Sequence, residues 1–203
     1  KSLVSVIIPA YNHEKYVQET INSIIRQTYQ NIELIVIDDG SKDSTWQKIQ
    51  EMKEICQKRF ARVYFETKEN EGTCKTLNKL ISLVNGELVY LIASDDKAKA
   101  QAIEKEVQFL QNNLDYVLVV GDNEFIDLSS KKIGWDKHRN SINLSMAEYK
   151  TFGEYLQNAN IDVNFSSSRF GIYETFVKKN YIPNGYLIRK SALDQIGKFT
   201  PEA

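Results

Sequence analysis

What most constrains this chain is the regular exchange of two hydrophobic periods. Apolar runs at residues 3–8, 32–38 ("IELIVID"), 62–66 ("RVYFE") and 88–93 are separated by segments whose apolar residues recur every three or four positions. Those segments carry Val17, Ile21, Ile24 and Ile25, then Trp46, Ile49, Met52 and Cys56, then Leu77, Leu80, Ile81 and Val84, then Ile103, Val107 and Leu110. A run that is apolar at nearly every position suits a strand covered on both faces, and a period near 3.6 suits a helix packed along one side. The exchange therefore predicts an α/β fold with a mostly parallel, Rossmann-like sheet flanked by helices. In such sheets ligands bind just beyond the carboxyl ends of the strands, which directs attention to the residues that follow each run.

Two of these runs end in adjacent carboxylates: Asp38-Asp39 in "LIVIDDG" and Asp95-Asp96 in "LVYLIASDD". The first run ends at Pro9, with Tyr11 and Asn12 behind it. A single Asp at a strand end is commonly a turn former or a helix cap, and Ser41, Asp43 and Ser44 are candidate caps for the second helix. A pair is costlier, because two like charges 4 Å apart repel by about 1 kcal/mol in water and about 4 kcal/mol at an effective dielectric of 20. Adjacent strand residues diverge, so one carboxylate can hold a hard divalent cation while the other accepts hydrogen bonds from sugar hydroxyls. Mg²⁺ and similar ions need only one or two carboxylates when substrate phosphates complete the shell. The two histidines, His13 and His138, form no zinc cluster and are expected at the surface; Cys56 and Cys74 are expected to pack. No G-x-G-x-x-G follows the first strand, and the chain has no G-x-x-x-x-G-K-[ST].

The 26 Lys and Arg against 27 Asp and Glu give no electrostatic case for nucleic acid or for an anionic surface. The 203 residues suit one domain, 1–203, with 1–96 as its nucleotide half and 97–203 as its acceptor half. No apolar run approaches the roughly 20 residues that span a bilayer, and no leader precedes Val4, so the cytoplasm is the default compartment. A last strand is expected over 116–127. Beyond residue 128 the pattern weakens to loop with one strand, a short helix in "YKTFGEYLQNAN", and a strand followed by a helix from Ser191 in "GYLIRKSALDQIGKF". The aromatics Trp135, Tyr149, Phe152, Tyr155, Phe165, Phe170, Tyr173 and Phe176 either stack on sugar rings or build a core.

Taken together the motifs resemble the family-2 glycosyltransferases, inverting enzymes with the GT-A fold. "VSVIIPAYNHEKYV" looks like that family's opening strand and YN-x-E loop, and "QTYQNIELIVIDDGSKDST" like its D-D-G-S-x-D block. "NEGTCKTLN" resembles its N-x-G loop, "GELVYLIASDD" its metal-binding Asp cluster, and "NGYLIRKSALDQIGKF" the acceptor-side strand and helix closed by G-x-F. Ala93 and Ser94 stand where the family has the first Asp of its cluster, leaving Asp95 and Asp96. Leu77 stands where an Arg is common, with Lys75 or Lys79 as alternative cations.

The resemblance implies that Pro9, Tyr11, Asn12 and Glu14 shape the nucleotide pocket and that Asp38 and Asp39 take base and ribose. It further implies that Asp95 faces ribose or donor sugar and that Asp96 ligates Mn²⁺ or Mg²⁺ bridging the diphosphate. The donor is expected to be a nucleoside-diphosphate sugar, UDP-linked by precedent, and the acceptor a glycan or lipid-linked hydroxyl. Nucleic acid is not expected as a partner, and the inner face of the membrane is a compatible place of work. The general base, an Asp some residues after G-x-F, is expected beyond Ala203; Asp162 and Glu174 have no spacing that recommends them. The competing expectation is a transferase-like module that binds nucleotide without catalysis.

Overall fold

The computed structural model describes residues 1–158 and 182–200. Contacts divide the chain into two compact units, Lys1–Val120 with Asn184–Ala203, and Gly121–Pro183. The first holds a six-stranded sheet. Its strands in chain order are β1 (Val4–Ala10), β2 (Ile32–Asp38), β3 (Arg62–Thr67), β4 (Leu88–Leu91), β5 (Leu118–Val120) and β9 (Tyr186–Arg189). They lie side by side as β3-β2-β1-β4-β9-β5. The pairs among β1 to β4 are parallel, with Val4 opposite both Ile32 and Leu88. Strand β9 returns antiparallel between β4 and β5. The expected α/β fold with a mostly parallel sheet is what the chain adopts.

Successive side chains of a strand point to opposite faces, and β1 shows it. Val4, Val6 and Ile8 enter one core with Val17, Ile21 and Ile24 of α1 (Val17–Ile25), Ile49 of α2 (Thr45–Glu51), Cys56 of α3 (Lys53–Arg59) and Ile103 of α5 (Ala102–Asn112). Ile7 enters the other, with Leu80 of α4 (Thr73–Ser82) and Leu193 of α7 (Lys190–Ile196). Burial pushes the Cys56 thiol up to about 12, in keeping with a packing role.

One charged group lies in this interior. Glu33 is wholly buried and accepts from Ser5, Arg62 (2.8 Å) and the Asn85 amide (2.7 Å). Burial opposes its ionisation, but the Ser5, Arg62 and Asn85 donors outweigh it and hold the carboxyl below its ordinary value.

Two expectations change in detail. The second predicted helix is two, α2 and α3, meeting at Met52. The expected strand over 116–127 is cut at Gly121-Asp122-Asn123, residues that favour turns; β5 stops at Val120, and Phe125–Ile126 forms β6 of a separate sheet. That sheet, in the second unit, runs β6-β7-β8 with β7 (Lys132–Trp135) and β8 (Ser141–Asn143) antiparallel, where one strand was expected. The short helix is present as α6 (Phe152–Asn158), and the last helix begins at Lys190. Among the described residues no helix is long and apolar enough to cross a membrane.

Candidate functional site

Three strand ends of the first unit assemble the site. The loop after β1 is laced to the loop after β2 by reciprocal bonds. Asn12 N–H donates to Ser41 Oγ (2.9 Å), and Lys42 N–H donates back to Asn12 Oδ1 (2.8 Å). Glu14 N–H donates to Asp43 (3.1 Å) while Glu14 Oε2 accepts from Ser44 N–H at the start of α2 (2.9 Å). Asn12 and Glu14 thus spend their side chains on the scaffold. Pro9 lies within β1 opposite Ile37. Tyr11, 43% exposed, is the member of the predicted group whose ring remains available to a ligand.

The first acid pair is closed. Asp38 is buried and accepts from Ser41 Oγ and from Thr67 Oγ1 of β3 (2.7 Å). Asp39, 5% exposed, pairs with Lys68 and accepts from Glu71 N–H (3.0 Å) and Gly72 N–H (3.0 Å). Burial opposes its charge, but the Lys68 ammonium and the Glu71 N–H prevail and hold the carboxyl below the usual aspartate range. Gly40, at φ 69°, follows so close to Asn70 that a Cβ there would sit 2.7 Å from the Asn70 nitrogen. The pair therefore clasps the 68–72 loop onto the end of β2.

The second pair is open. Asp95 is exposed, and its charged neighbour is His13, Nε2 to Oδ2 3.7 Å. Asp96 accepts from the Asn184 amide (2.9 Å). Burial pushes the Asp96 carboxyl above its ordinary value; the Asp95 charge adds to this, while the Asn184 bond and His13 oppose it. Asn184 reaches Asp96 because the chain enters β9 through Gly185, at φ 77°, where a Cβ would stand 3.0 Å from the Tyr90 hydroxyl. His13 is not a surface side chain: its Nδ1 lies 2.7 Å from Ser94 Oγ, tying the β1 loop to the end of β4. The surface expectation failed for His13 because the partner sits 81 positions away and no local pattern announces it.

Among the described residues no group of three His, Cys, Asp or Glu forms a metal cluster. The arrangement nevertheless fits a hard divalent cation that brings its own phosphate ligands. Asp96 and Asp95 are adjacent, Asp96 is held from ionising freely, and neither is paired with Lys or Arg among the described residues. Sequence reasoning placed both acid pairs at strand ends but missed Lys68, Ser94 and Asn184. Asp162, Glu174, Phe165, Phe170, Tyr173, Phe176 and Ala203 lie outside the described residues. A cavity of about 370 Å³ opens at the other end of the strands, beside Ser2, Glu87 and Lys190. Its cations are committed, Lys190 to Asp194 (2.8 Å) and Arg189 to the Leu110 and Tyr116 carbonyls (2.7 and 2.9 Å).

Comparison with known proteins bears on the fold and the family. Residues 5–195 match the model of "Glycosyl transferase family 2". The putative teichuronic acid biosynthesis glycosyltransferase TuaG of Bacillus subtilis is 37% identical over 110 residues, 54% of this chain and 42% of that protein. Among solved structures, the mannosyltransferase PcManGT of Pyrobaculum calidifontis, in complex with GDP-Man and Mn²⁺, superposes with a TM-score of 0.53 at 24% identity, covering 58% of this chain and 34% of that one. TarS of S. aureus, in complex with UDP-GlcNAc, gives 0.51 at 24% identity, covering 63% and 41%. At that identity the two structures speak for the GT-A fold. The chain spans less than half the length of these curated relatives and solved structures.

Proposed function

The chain belongs to glycosyl transferase family 2, and from that premise we propose that it moves a sugar from a nucleoside-diphosphate sugar to a hydroxyl of a glycan or lipid-linked acceptor, with inversion at the anomeric carbon. UDP is the proposed nucleotide and the cytoplasm, at the inner face of the membrane, the proposed place of work. The observation that carries this reading is the state of Asp96: a carboxylate at a strand end, raised by burial and by Asp95, with no cationic side chain bonded to it among the described residues. A protein that needed Asp96 only as a turn former would have left it in water or given it donors, as it does for Asp127, whose carboxylate takes the Ser129 and Lys131 amides (2.8 and 3.0 Å). The complexes of PcManGT with GDP-Man and Mn²⁺ and of TarS with UDP-GlcNAc support a donor of this class.

In this reading Tyr11 offers its ring to the base, and Asn12, Glu14 and Pro9 hold it there. Asp38 and Asp39 fix the floor of the nucleoside pocket by fastening the loops around it. Asp95 accepts from ribose or donor-sugar hydroxyls, and His13 orients the segment that carries it. Asp96, with Asp95 beside it, is the site for Mn²⁺ or Mg²⁺; the ion, when bound, offsets the negative charge that develops on the departing diphosphate. The base that takes the acceptor proton is assigned to no described residue.

Thermal unfolding with UDP, GDP or CDP, each with and without Mn²⁺, tests the proposal. Stabilisation by one nucleotide that needs the metal and vanishes in Asp96→Ala is the expected result. No shift with any nucleotide would leave a module without donor binding and end the reading.

A further inference from the structure

The second unit contains an arginine unlike the others. Arg59 gives its guanidinium to the carbonyls of Ile25, Gln27, Tyr29 and Gln30, between 2.8 and 3.2 Å. Arg62 bonds Glu33 and the Leu83 carbonyl, and Arg189 caps the end of α5. Arg139 lies on the turn between β7 and β8, exposed, and its guanidinium rests over two aromatic rings, 5.0 Å from the centre of Trp135 and 5.4 Å from that of Tyr155. No side-chain hydrogen bond or ion pair engages it among the described residues. The rings that hold it are themselves fixed: Trp135 stacks on Phe125 at 3.9 Å, and Tyr155 meets Tyr149 edge-on at 5.6 Å.

The acid nearest in sequence is not available to it. Asp136 uses both carboxylate oxygens on the turn, accepting from His138 N–H (2.8 Å), Asn140 N–H (2.9 Å) and Asn140 Nδ2 (2.9 Å). Arg139 also stands at φ 67°, a left-handed conformation that costs a side-chain-bearing residue about 1 kcal/mol or more. A planar cation held flat on aromatic faces, its N–H edges unspent, is prearranged for two-point bonding to a carboxylate or phosphate. The surroundings favour a single, localised anion. Between residues 121 and 158 there are five Lys and Arg against six Asp and Glu, a balance that gives no field for a polyanion or an anionic bilayer.

We infer that Arg139, on its Trp135–Tyr155 shelf, is a binding site for the carboxylate of an acidic saccharide, and thus that the acceptor recognised by this chain carries a uronic acid residue. This rests on the transferase reading for its place in the reaction, but the contact itself does not depend on donor binding.

The chain has two tryptophans, so in a Trp46→Phe background the emission of Trp135 alone reports on the shelf. Titration with a tri-galacturonate is expected to change that emission saturably. Arg139→Asn, which removes the cation but suits the left-handed backbone, is expected to weaken binding tenfold or more; Arg139→Lys, which keeps the charge without the planar fork, by a smaller factor. Equal binding of the uncharged methyl-ester form, no binding of either oligosaccharide, or binding unaltered in Arg139→Asn overturns the inference. So does Arg139-dependent sedimentation with phosphatidylglycerol vesicles in place of saccharide binding. UDP binding measured on the same variants is expected to be unchanged, and its absence in every protein would fell the donor reading while leaving the saccharide result to stand by itself.

Discussion

The two Asp-Asp pairs look alike in sequence and differ in almost every physical respect. Asp38 and Asp39 are buried and surrounded by donors from residues 41 and 67–72, and Asp39 is held below its ordinary range. Asp95 and Asp96 are partly solvated and short of donors, and Asp96 is held above its range. Nothing about the dipeptide decides this. The loop that follows β3 supplies Lys68 to the first pair, whereas the segment before β9 brings the second pair only the amide of Asn184. Identical local chemistry becomes a clasp or an open site according to what the rest of the fold brings against it.

The contrast can be broken by substitution. Asp96→Ala should reduce sugar transfer on the order of 10²–10³-fold, the scale of losing one preorganised electrostatic contact to the transition state, while the metal-free protein unfolds at the same or a higher temperature. Asp39→Ala should act on stability first, costing about 3 kcal/mol because the nearly buried Lys68 loses its partner, as measured by urea unfolding. If instead Asp96→Ala unfolds the protein and Asp39→Ala leaves its stability intact, the assignment of clasp and site is reversed.

The pairs also differ in how they answer acid. Asp39 has a folded pKa below the ordinary 3.8, so the unfolded chain binds more protons than the native one between those two values. Its contribution to stability is full above the ordinary value and is lost as pH falls through the depressed one. The stability advantage of the wild type over Asp39→Asn should accordingly be constant near neutrality and shrink below about pH 4; an advantage that grows on acidification would contradict the clasp. The smallest effect is expected at His13. His13→Ala removes the bond to Ser94, about 1 kcal/mol, and should weaken nucleotide-sugar binding several-fold with little change in the unfolding midpoint. No change in either would reduce His13 to a spectator of the open pair.

The fold was legible in the sequence because it is written in period and continuity. The unbroken runs became β1, β2 and β4, the 3.6-period segments became α1, α4 and α5, and both acid pairs fell at strand ends. Long-range partners were not legible. Lys68 is 29 residues from Asp39, Ser94 is 81 from His13, and Asn184 is 88 from Asp96, and none lies in a pattern that announces its destination. Nor could a pattern of apolar residues reveal that Asp39 would be saturated and Asp96 starved, since that depends on donors arriving from other elements. The stretch after Gly121 was weakly legible for a related reason: β6, β7 and β8 are two to four residues long, too short for alternation to establish itself.

The place of β9 has a further consequence. It lies between β4 and β5, the latter of which pairs only with it in the sheet, and its approach carries the residue that bonds Asp96. During synthesis β4 and β5 leave the ribosome long before their shared neighbour, at roughly 5–20 residues per second. For that interval half the sheet is complete while β5 waits unpaired. A nascent chain halted short of residue 184 would carry its parallel strands and both acid pairs, yet would lack the antiparallel strand that joins its last edge and the amide that steadies Asp96.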